Sequence, residues 1–357
     1  MTLPMPSAPV MDVLRKGVVI PACPLALDGN RRLDERHQRA LIRYYCAAGA
    51  GGVAVGVHTT QFEIRKAGVD LFKPVLELAA ATLDEEGGKC SAPIIKIAGV
   101  CGKTRQAISE AELASTLGYD IALVSLGALR DAPERDLIQH CKRLSETIPL
   151  MGFYLQPAVG GRILPYSFWR QFVEIENVVA IKIAPFNRYQ TLDVVRAVAH
   201  AGVEDRVALY TGNDDNIIVD LLTPYTIQTE GGPRTLRIRG GLLGQWSVWT
   251  SKAVELLNYI HSVIAAGKKD IFDLLEKNVA LTDANSVVFD AAHNFAGCIS
   301  GINEVLRRQG LMKYAHCLDP TATLASGQSE ELDRIHRDYP WLTDDEFVRQ
   351  HLEEWLQ

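Results

Sequence analysis

The stretch "NVVAIKIAPF", Asn177–Phe186, sets one charged residue, Lys182, inside a run of β-branched and aliphatic side chains. Such a run favours a strand, and its lack of polar alternation means that both faces are covered, as in a parallel sheet flanked by helices. A buried ammonium costs several kcal/mol unless it is paired, and it responds by losing its proton. The neutral amine that remains is a nucleophile. The tetrapeptide IKIA also occurs at Ile95–Ala98, around Lys96.

Working outward, apolar runs alternate with amphipathic helical patterns, the order of repeated βα units. "GVVIPACPL" (Gly17–Leu25) opens the series, followed by a "DGN" turn and a helix with Leu41, Tyr44, Tyr45 and Ala48 on one face and Gly49 at its end. "GGVAVGVHTT", "APIIKIAGVCG", "YDIALVSLG", "PLMGFYLQP", "VVAIKIAP", "RVALYTGNDD" and "RIRGGLLGQWSVW" complete eight strands. No GxGxxG follows the first strand, so a (β/α)8 TIM barrel is favoured over an open dinucleotide-binding sheet. After Trp249 the pattern is helical: Lys252–Ala266, Asp270–Leu281, a segment ending near Gly310, a linker "CLDPTATLASGQ", and a final helix over Tyr339–Leu356. In that last helix Thr343 and Glu346 have capping-box spacing. The expected division is a barrel over residues 1–250 carrying the site and a C-terminal helical extension over 251–357.

A chain of 357 residues, 47% hydrophobic and 22% charged, is long enough to bury a sizeable core. Its net charge of -6 and the lack of a basic face argue against nucleic acid as a partner. No apolar run approaches the roughly 18 residues of a membrane span. The seven cysteines are irregularly spaced and include no CxxC pair, which fits buried thiols in a reducing cytoplasm. No His/Asp/Glu cluster has metal-ligand spacing. The expectations are a cytoplasmic protein with no metal and no cofactor beyond a covalent imine on lysine.

In a barrel, polar residues late in strands build the site. Those residues are His58, Thr59 and Thr60 after the second strand, Tyr154 and Gln156 on the fifth, Lys182 on the sixth, and Gly212, Asn213, Asp214 and Asp215 after the seventh. Tyr154 precedes Lys182 by 28 residues, one βα unit, so the two come from adjacent strands. A phenol there is placed to shuttle protons for a nucleophilic amine. The alternative is a structural ion pair at Lys182 and a core aromatic at Tyr154. His58 reads as an acid or base, or as a loop histidine hydrogen-bonded to backbone. Asn213, Asp214 and Asp215 read as ligands for a hydroxyl or cation, or as turn formers. Gly240 and Gly241, in "RGGLLG", read as points of close approach to substrate or as a phosphate cradle.

"FYLQPAVGGRILPYSFWRQFVEIENVVAIKIA" resembles the fifth-to-sixth-strand segment of the dihydrodipicolinate synthase and N-acetylneuraminate lyase family, with its Tyr-x-x-Pro, its L-x-P helix start and its lysine. "GVVIPACPLALDGN", "GGVAVGVHTTQFE" and "TGNDD" are similar to the family's first, second and seventh strands with their loops. The resemblance implies Lys182 as the Schiff-base lysine, Tyr154 as the proton shuttle with Thr60 in the catalytic group, and the Thr59/Thr60 region as the cradle for a keto-acid carboxylate. It places His58, Gly212, Asn213, Gly240 and Gly241 around the substrate. It also implies a homotetramer or dimer. The chain departs from the family pattern in three places. Val159 stands where synthases carry a carboxylate-binding arginine, with Arg162 three residues on; "HTTQFE" replaces Gly-Thr-Thr-Gly-Glu; and "SLGALRDAPERD" has no second tyrosine.

The expected activity is that of a Schiff-base lyase or aldolase on pyruvate or a related 2-oxo acid, with an aldehyde as a second partner. The alternatives are a dehydratase using the same imine, a phosphate-recognising barrel enzyme, and a non-catalytic ligand sensor.

Overall fold

A computed structural model describes residues 3–268 and 270–357. Among the described residues ten strands are present: β1 (Val19–Pro21), β2 (Gly52–Val55), β3 (Ile95–Val100), β4 (Ile121–Val124), β5 (Leu150–Leu155), β6 (Val178–Ala184), β7 (Ala208–Thr211), β8 (Tyr225–Thr229), β9 (Gly232–Leu236) and β10 (Gly240–Leu243). The helices are α1 (Ala8–Lys16), α2 (Glu35–Ala47), α3 (Phe72–Gly87), α4 (Thr104–Thr116), α5 (Glu134–Ser145), α6 (Tyr166–Phe172), α7 (Arg188–Ala201), α8 (Ile217–Leu222), α9 (Thr250–Ala265), α10 (Phe272–Val288), α11 (Cys298–Arg308), α12 (Gln328–Asp338) and α13 (Asp345–Trp355). Eight strands form one sheet in the order β1-β10-β7-β6-β5-β4-β3-β2. A parallel bridge between Ala22 and Ala54 joins the two ends of that order. This is the (β/α)8 barrel, with helices following its last strand.

The chain divides into two compact units. One spans Ile95–Gly241 together with the N-terminal residues through Val18. In it β3 to β7 pair in parallel, each return made by a helix. All seven residues of β6 are buried, as a strand covered on both faces requires. α7 starts where Asn187 accepts a hydrogen bond from Gln190 N at 3.1 Å, and it stops at Gly202, whose φ of 65° suits glycine. The N-terminal segment covers the starting ends of β6 and β7. There Asn177 Nδ2 donates to Pro4 O at 3.1 Å, and the Tyr210 hydroxyl donates to Leu14 O at 2.8 Å. Between β7 and β10 lies an antiparallel hairpin, β8–β9, that the βα reading passed over. Its signals were present in the sequence: two-residue alternation in "YTIQT" and a Glu230–Gly231 turn.

The other unit spans Val19–Ile94 and Leu242–Gln357, so the helices after Trp249 fold with β1, β2, α2 and α3. α2 buries Leu41, Tyr44 and Tyr45 on the expected face, and Gly49 closes it at φ 86°. The final helix departs from expectation. α13 begins at Asp345, and the Thr343–Glu346 capping box does not form. Thr343 Oγ1 donates to Pro340 O at 3.1 Å, and Glu346 binds Arg349 and Gln350. The preceding Asp344 is held elsewhere: Oδ2 accepts from the Tyr44 hydroxyl at 2.8 Å and from Ser251 N at 3.1 Å, and Oδ1 accepts from Gln309 Nε2 at 2.9 Å. Burial raises the pKa of this carboxyl. Arg43 donates to Trp355 O at 2.7 Å, and Trp355 and Phe347 pack on Tyr44. The extension is thus clasped to α2.

Candidate active site

Lys182 is the fifth of seven residues in β6, close to the end where barrel strands present their chemistry. Its in-register neighbours are Phe153 on β5 and Tyr210 on β7, and neighbours in register share a face. Nζ lies 4.5 Å from the centroid of the Phe153 ring. A Cβ on Gly212 would stand 2.7 Å from both Lys182 Cε and Ala184 Cβ, so glycine there leaves the channel through which the lysine stem runs. Lys182 is 7% exposed. Burial pulls its pKa down to about 8, against the opposing charge of Asp214. A pKa near 8 leaves a usable share of neutral, nucleophilic amine at neutral pH.

Tyr154 does not stand opposite Lys182. Leu150 pairs with Val178, which keeps the offset of 28 residues, but an irregularity at Leu150/Met151 then puts Met151 opposite Ala180. The extra residue in β6 shifts the register by one, and a one-residue shift exchanges faces. Phe153 therefore meets the lysine, and Tyr154, opposite Ile183, turns toward α6. Its ring packs on Trp169 at 5.3 Å, and its hydroxyl accepts from Leu164 N at 3.2 Å. Gly152, on the same face, looks at Phe172 and Trp169. Burial pushes the Tyr154 phenol up to about 12. The Tyr154 ring thus packs in the β5–α6 layer.

Asn213 is also fully engaged. Its Oδ1 accepts from Phe186 N at 3.0 Å, and its Nδ2 donates to Asp220 Oδ2 at 2.9 Å and Thr191 Oγ1 at 3.3 Å. It braces the turn after β6, where Phe186 takes φ 51°. The centre of this network is Asp220, which sequence reasoning missed: it accepts from Thr211 Oγ1 at 2.7 Å and Asn216 Nδ2 at 3.0 Å and pairs with Arg188. An acid in the apolar run "NIIVDLL" was the available signal, of the same kind that marked Lys182. Arg188 also reaches Asp215 at 3.7 Å.

Gly240 serves packing as well. A Cβ there would fall 2.6 Å from Val18 N and O and 2.8 Å from the Tyr210 ring. Gly241 N donates to Val18 O at 3.3 Å. Arg162 donates to Leu129 O and, at 3.1 Å, to Ala132 O, so it pins the loop after β4 and does not stand in for the arginine missing at Val159.

In the second unit, His58, Thr59 and Thr60 form a 3-10 turn after β2. Thr59 Oγ1 donates to Ala22 O at 2.6 Å; Thr60 Oγ1 donates to Cys23 O at 2.7 Å and accepts from Gly56 N and Val57 N. Both hydroxyls latch the end of β2 to the end of β1. His58 packs on Phe62, their ring centroids 6.0 Å apart. Gln61 takes φ 68°, a conformation suited to glycine, and its Oε1 accepts from Leu318 N at 2.6 Å. Cys23 is packed, and burial raises its thiol to about 12. Among the described residues, no group of three or more His, Cys, Asp or Glu is placed to hold a metal ion, and no helix is long and apolar enough to cross a membrane.

The sequence profile of the dihydrodipicolinate synthetase family matches residues 16–224. The chain belongs to this family. Among curated members, 4-hydroxy-tetrahydrodipicolinate synthase of Clostridium tetani is 27% identical over 146 residues, 40% of this chain and 47% of that protein. The same enzyme of Acaryochloris marina is 28% identical over 171 residues, 47% of this chain and 50% of that protein. The chain thus matches about half the length of these family members. Solved structures agree on the fold. Dihydrodipicolinate synthase from Aquifex aeolicus superposes with a TM-score of 0.73 at 17% identity, covering 92% of this chain and 99% of that one. N-acetylneuraminate lyase from Fusobacterium nucleatum superposes with a TM-score of 0.70 at 15% identity, covering 91% and 99%.

Proposed function

We propose that the protein is a Schiff-base-forming lyase or aldolase of the dihydrodipicolinate synthetase family, acting on pyruvate or a related 2-oxo acid. The single observation that carries this reading is the amine of Lys182, buried near the end of β6 with its pKa lowered to about 8. Neutral Nζ adds to the keto carbon, the carbinolamine loses water, and the protonated imine withdraws electrons from the adjacent carbon as a C–C or C–O bond is made or broken. The face of the Phe153 ring, 4.5 Å from Nζ, favours the cationic imine over a neutral adduct. Solved relatives described as complexed with pyruvate support the choice of a 2-oxo acid. Synthesis of dihydrodipicolinate itself is disfavoured, since Val159 offers no charge to a second carboxylate and Arg162 is engaged with backbone carbonyls.

The test is reductive trapping. Pyruvate plus borohydride should add one reduced pyruvyl group to the peptide containing Lys182. A protein that stays unmodified by pyruvate and by longer 2-oxo acids would refute the reading.

A further inference from the structure

Lys182 Nζ stands 4.5 Å from the centroid of the Phe153 ring, so the amine leans from β6 over β5, the strand that lies between it and β4. The row that holds Lys182 and Phe153 continues onto β4. Val124 pairs with Gly152, which brings the next residue, Ser125, alongside Phe153. Ser125 N donates to Val100 O at 2.9 Å, so the parallel ladder runs on through this position. Neighbours in register share a face, and Ser125, Phe153 and Lys182 therefore face the same way. The Ser125 hydroxyl lies at the loop end of its strand: a Cβ on Gly127 would stand 3.7 Å from Oγ and 2.4 Å from Gly160 O, in the loop after β5. Ser125 is 9% exposed, and among the described residues its hydroxyl has no hydrogen-bond partner. Buried polar groups are almost always paired, so an open one on the face of a reactive amine is a contact left for a ligand.

We propose that Ser125 is a specificity-determining residue that holds an uncharged oxygen of the substrate, the hydroxyl or carbonyl oxygen carried two carbons beyond the imine carbon. This rests on the Schiff-base reading above. Neighbouring strands lie about 4.8 Å apart, so β4 is roughly 10 Å from β6. The lean over Phe153 has already carried the amine across part of that span, and an oxygen two carbons past the imine carbon reaches across the rest. Charge chooses the kind of oxygen. A carboxylate calls for a cation or several N–H donors. The buried side chains next to Ser125 on this face, Leu123 and Phe153, supply neither, and Arg162 is spent on Leu129 O and Ala132 O. A serine hydroxyl, at once donor and acceptor, suits an alcohol or an aldehyde oxygen. A substrate lacking that oxygen leaves Ser125 unpaired, and the site discriminates against it for that reason.

The experiment measures half-saturating concentrations for borohydride capture on Lys182 of the full-length protein, with 4-hydroxy-2-oxopentanoate and 2-oxopentanoate as the paired probes and pyruvate as the reference. Adduct mass is read on the Lys182 peptide, and the hydroxy acid counts as captured whether it is held whole or as the pyruvyl remnant of cleavage. The ratio between the paired acids is the readout, since a merely structural role would move both alike. The unaltered protein should favour the hydroxylated acid by about 10-fold, the usual worth of one well-placed hydrogen bond. Ser125→Ala should bring the two acids within about 2-fold of each other, and Ser125→Thr, which keeps the hydroxyl, should restore the preference. Ser125→Ala should also melt no lower than the unaltered protein, because a hydroxyl with no partner adds nothing to the fold. Ser125→Cys, close in shape and weak as a donor, supplies the same ratio if the alanine variant fails to fold. Equal capture of the two acids by the unaltered protein, a preference that survives in Ser125→Ala, or an equal weakening of both acids there would overturn the inference and leave the lysine chemistry standing. Absence of pyruvate capture in the unaltered protein would instead overturn the Schiff-base reading itself.

Discussion

Ile95–Ala98 and Ile181–Ala184 are the same four letters on two parallel strands, and their lysines have different lives. Lys96 is the second residue of β3, half-buried, at the starting end of the strand. Its amine lies beside Gly118, where an added Cβ would stand 3.4 Å from Nζ, and its backbone N donates to Asp120 Oδ2 at 2.8 Å. Lys182 is three positions further along its strand, enclosed by Phe153 and Gly212. Local sequence cannot separate the two. Distance along the strand does, because it sets how much water and which neighbours each ammonium meets.

The sharpest way to break this contrast is substitution. Lys182→Ala should abolish the borohydride-trapped pyruvate adduct, whereas Lys96→Ala should leave it in place; loss in both would mean the strands are not functionally distinct. Next in size is the pH profile. With the working form neutral and a pKa of about 8, capture should rise about tenfold per pH unit up to about 8 and then level. A plateau reached only near 10.5, the ordinary lysine value, would show that the amine is not desolvated.

Stability carries the same contrast with a definite sign. The folded-state pKa of Lys182 lies below its unfolded value, so folding penalises the charged form. That penalty is complete below about pH 8 and fades as pH rises toward 10.5. Lys182→Met should therefore stabilise the inactive protein by on the order of 3 kcal/mol at pH 6, with the gain shrinking by pH 10. Lys96→Met should change stability by no more than about 0.5 kcal/mol. Urea unfolding at the two pH values measures both. The smallest contrast lies in the flanking glycines. Gly212→Ala should cost roughly 1–3 kcal/mol and slow capture, since the new methyl overlaps the lysine stem. Gly118→Ala, at φ 75°, should cost roughly 1–2 kcal/mol from backbone strain alone and leave capture untouched.

Much of the fold was legible because each barrel strand announces itself by apolar residues on both faces, and helices such as α2 by a spacing that puts Leu41, Tyr44 and Tyr45 together. Lys182 was legible as a charge that such a strand does not otherwise tolerate. Its neighbour in register was not. The spacing from Tyr154 matches an unbroken register, and nothing in "ENVVAIK" marks the one-residue irregularity that brings Phe153 opposite Lys182. Register is a property of two strands together, decided by how side chains of both fit their covering helices. The roles of Asn213 and Asp344 were hidden for a related reason: the partners that occupy them, Asp220 and Thr191 in one case and Tyr44 and Gln309 in the other, are chosen by packing, not by neighbourhood in sequence.

The clasp of α13 on α2 has a kinetic consequence. Tyr44 waits for Asp344 across 300 positions, and Arg43 waits for the Trp355 carbonyl across 312. Contacts so distant along the chain raise contact order and slow the search for the native arrangement. Until they form, the aromatic face of an early helix stays wet, which makes that face a natural target for chaperones and for aggregation of the half-folded protein.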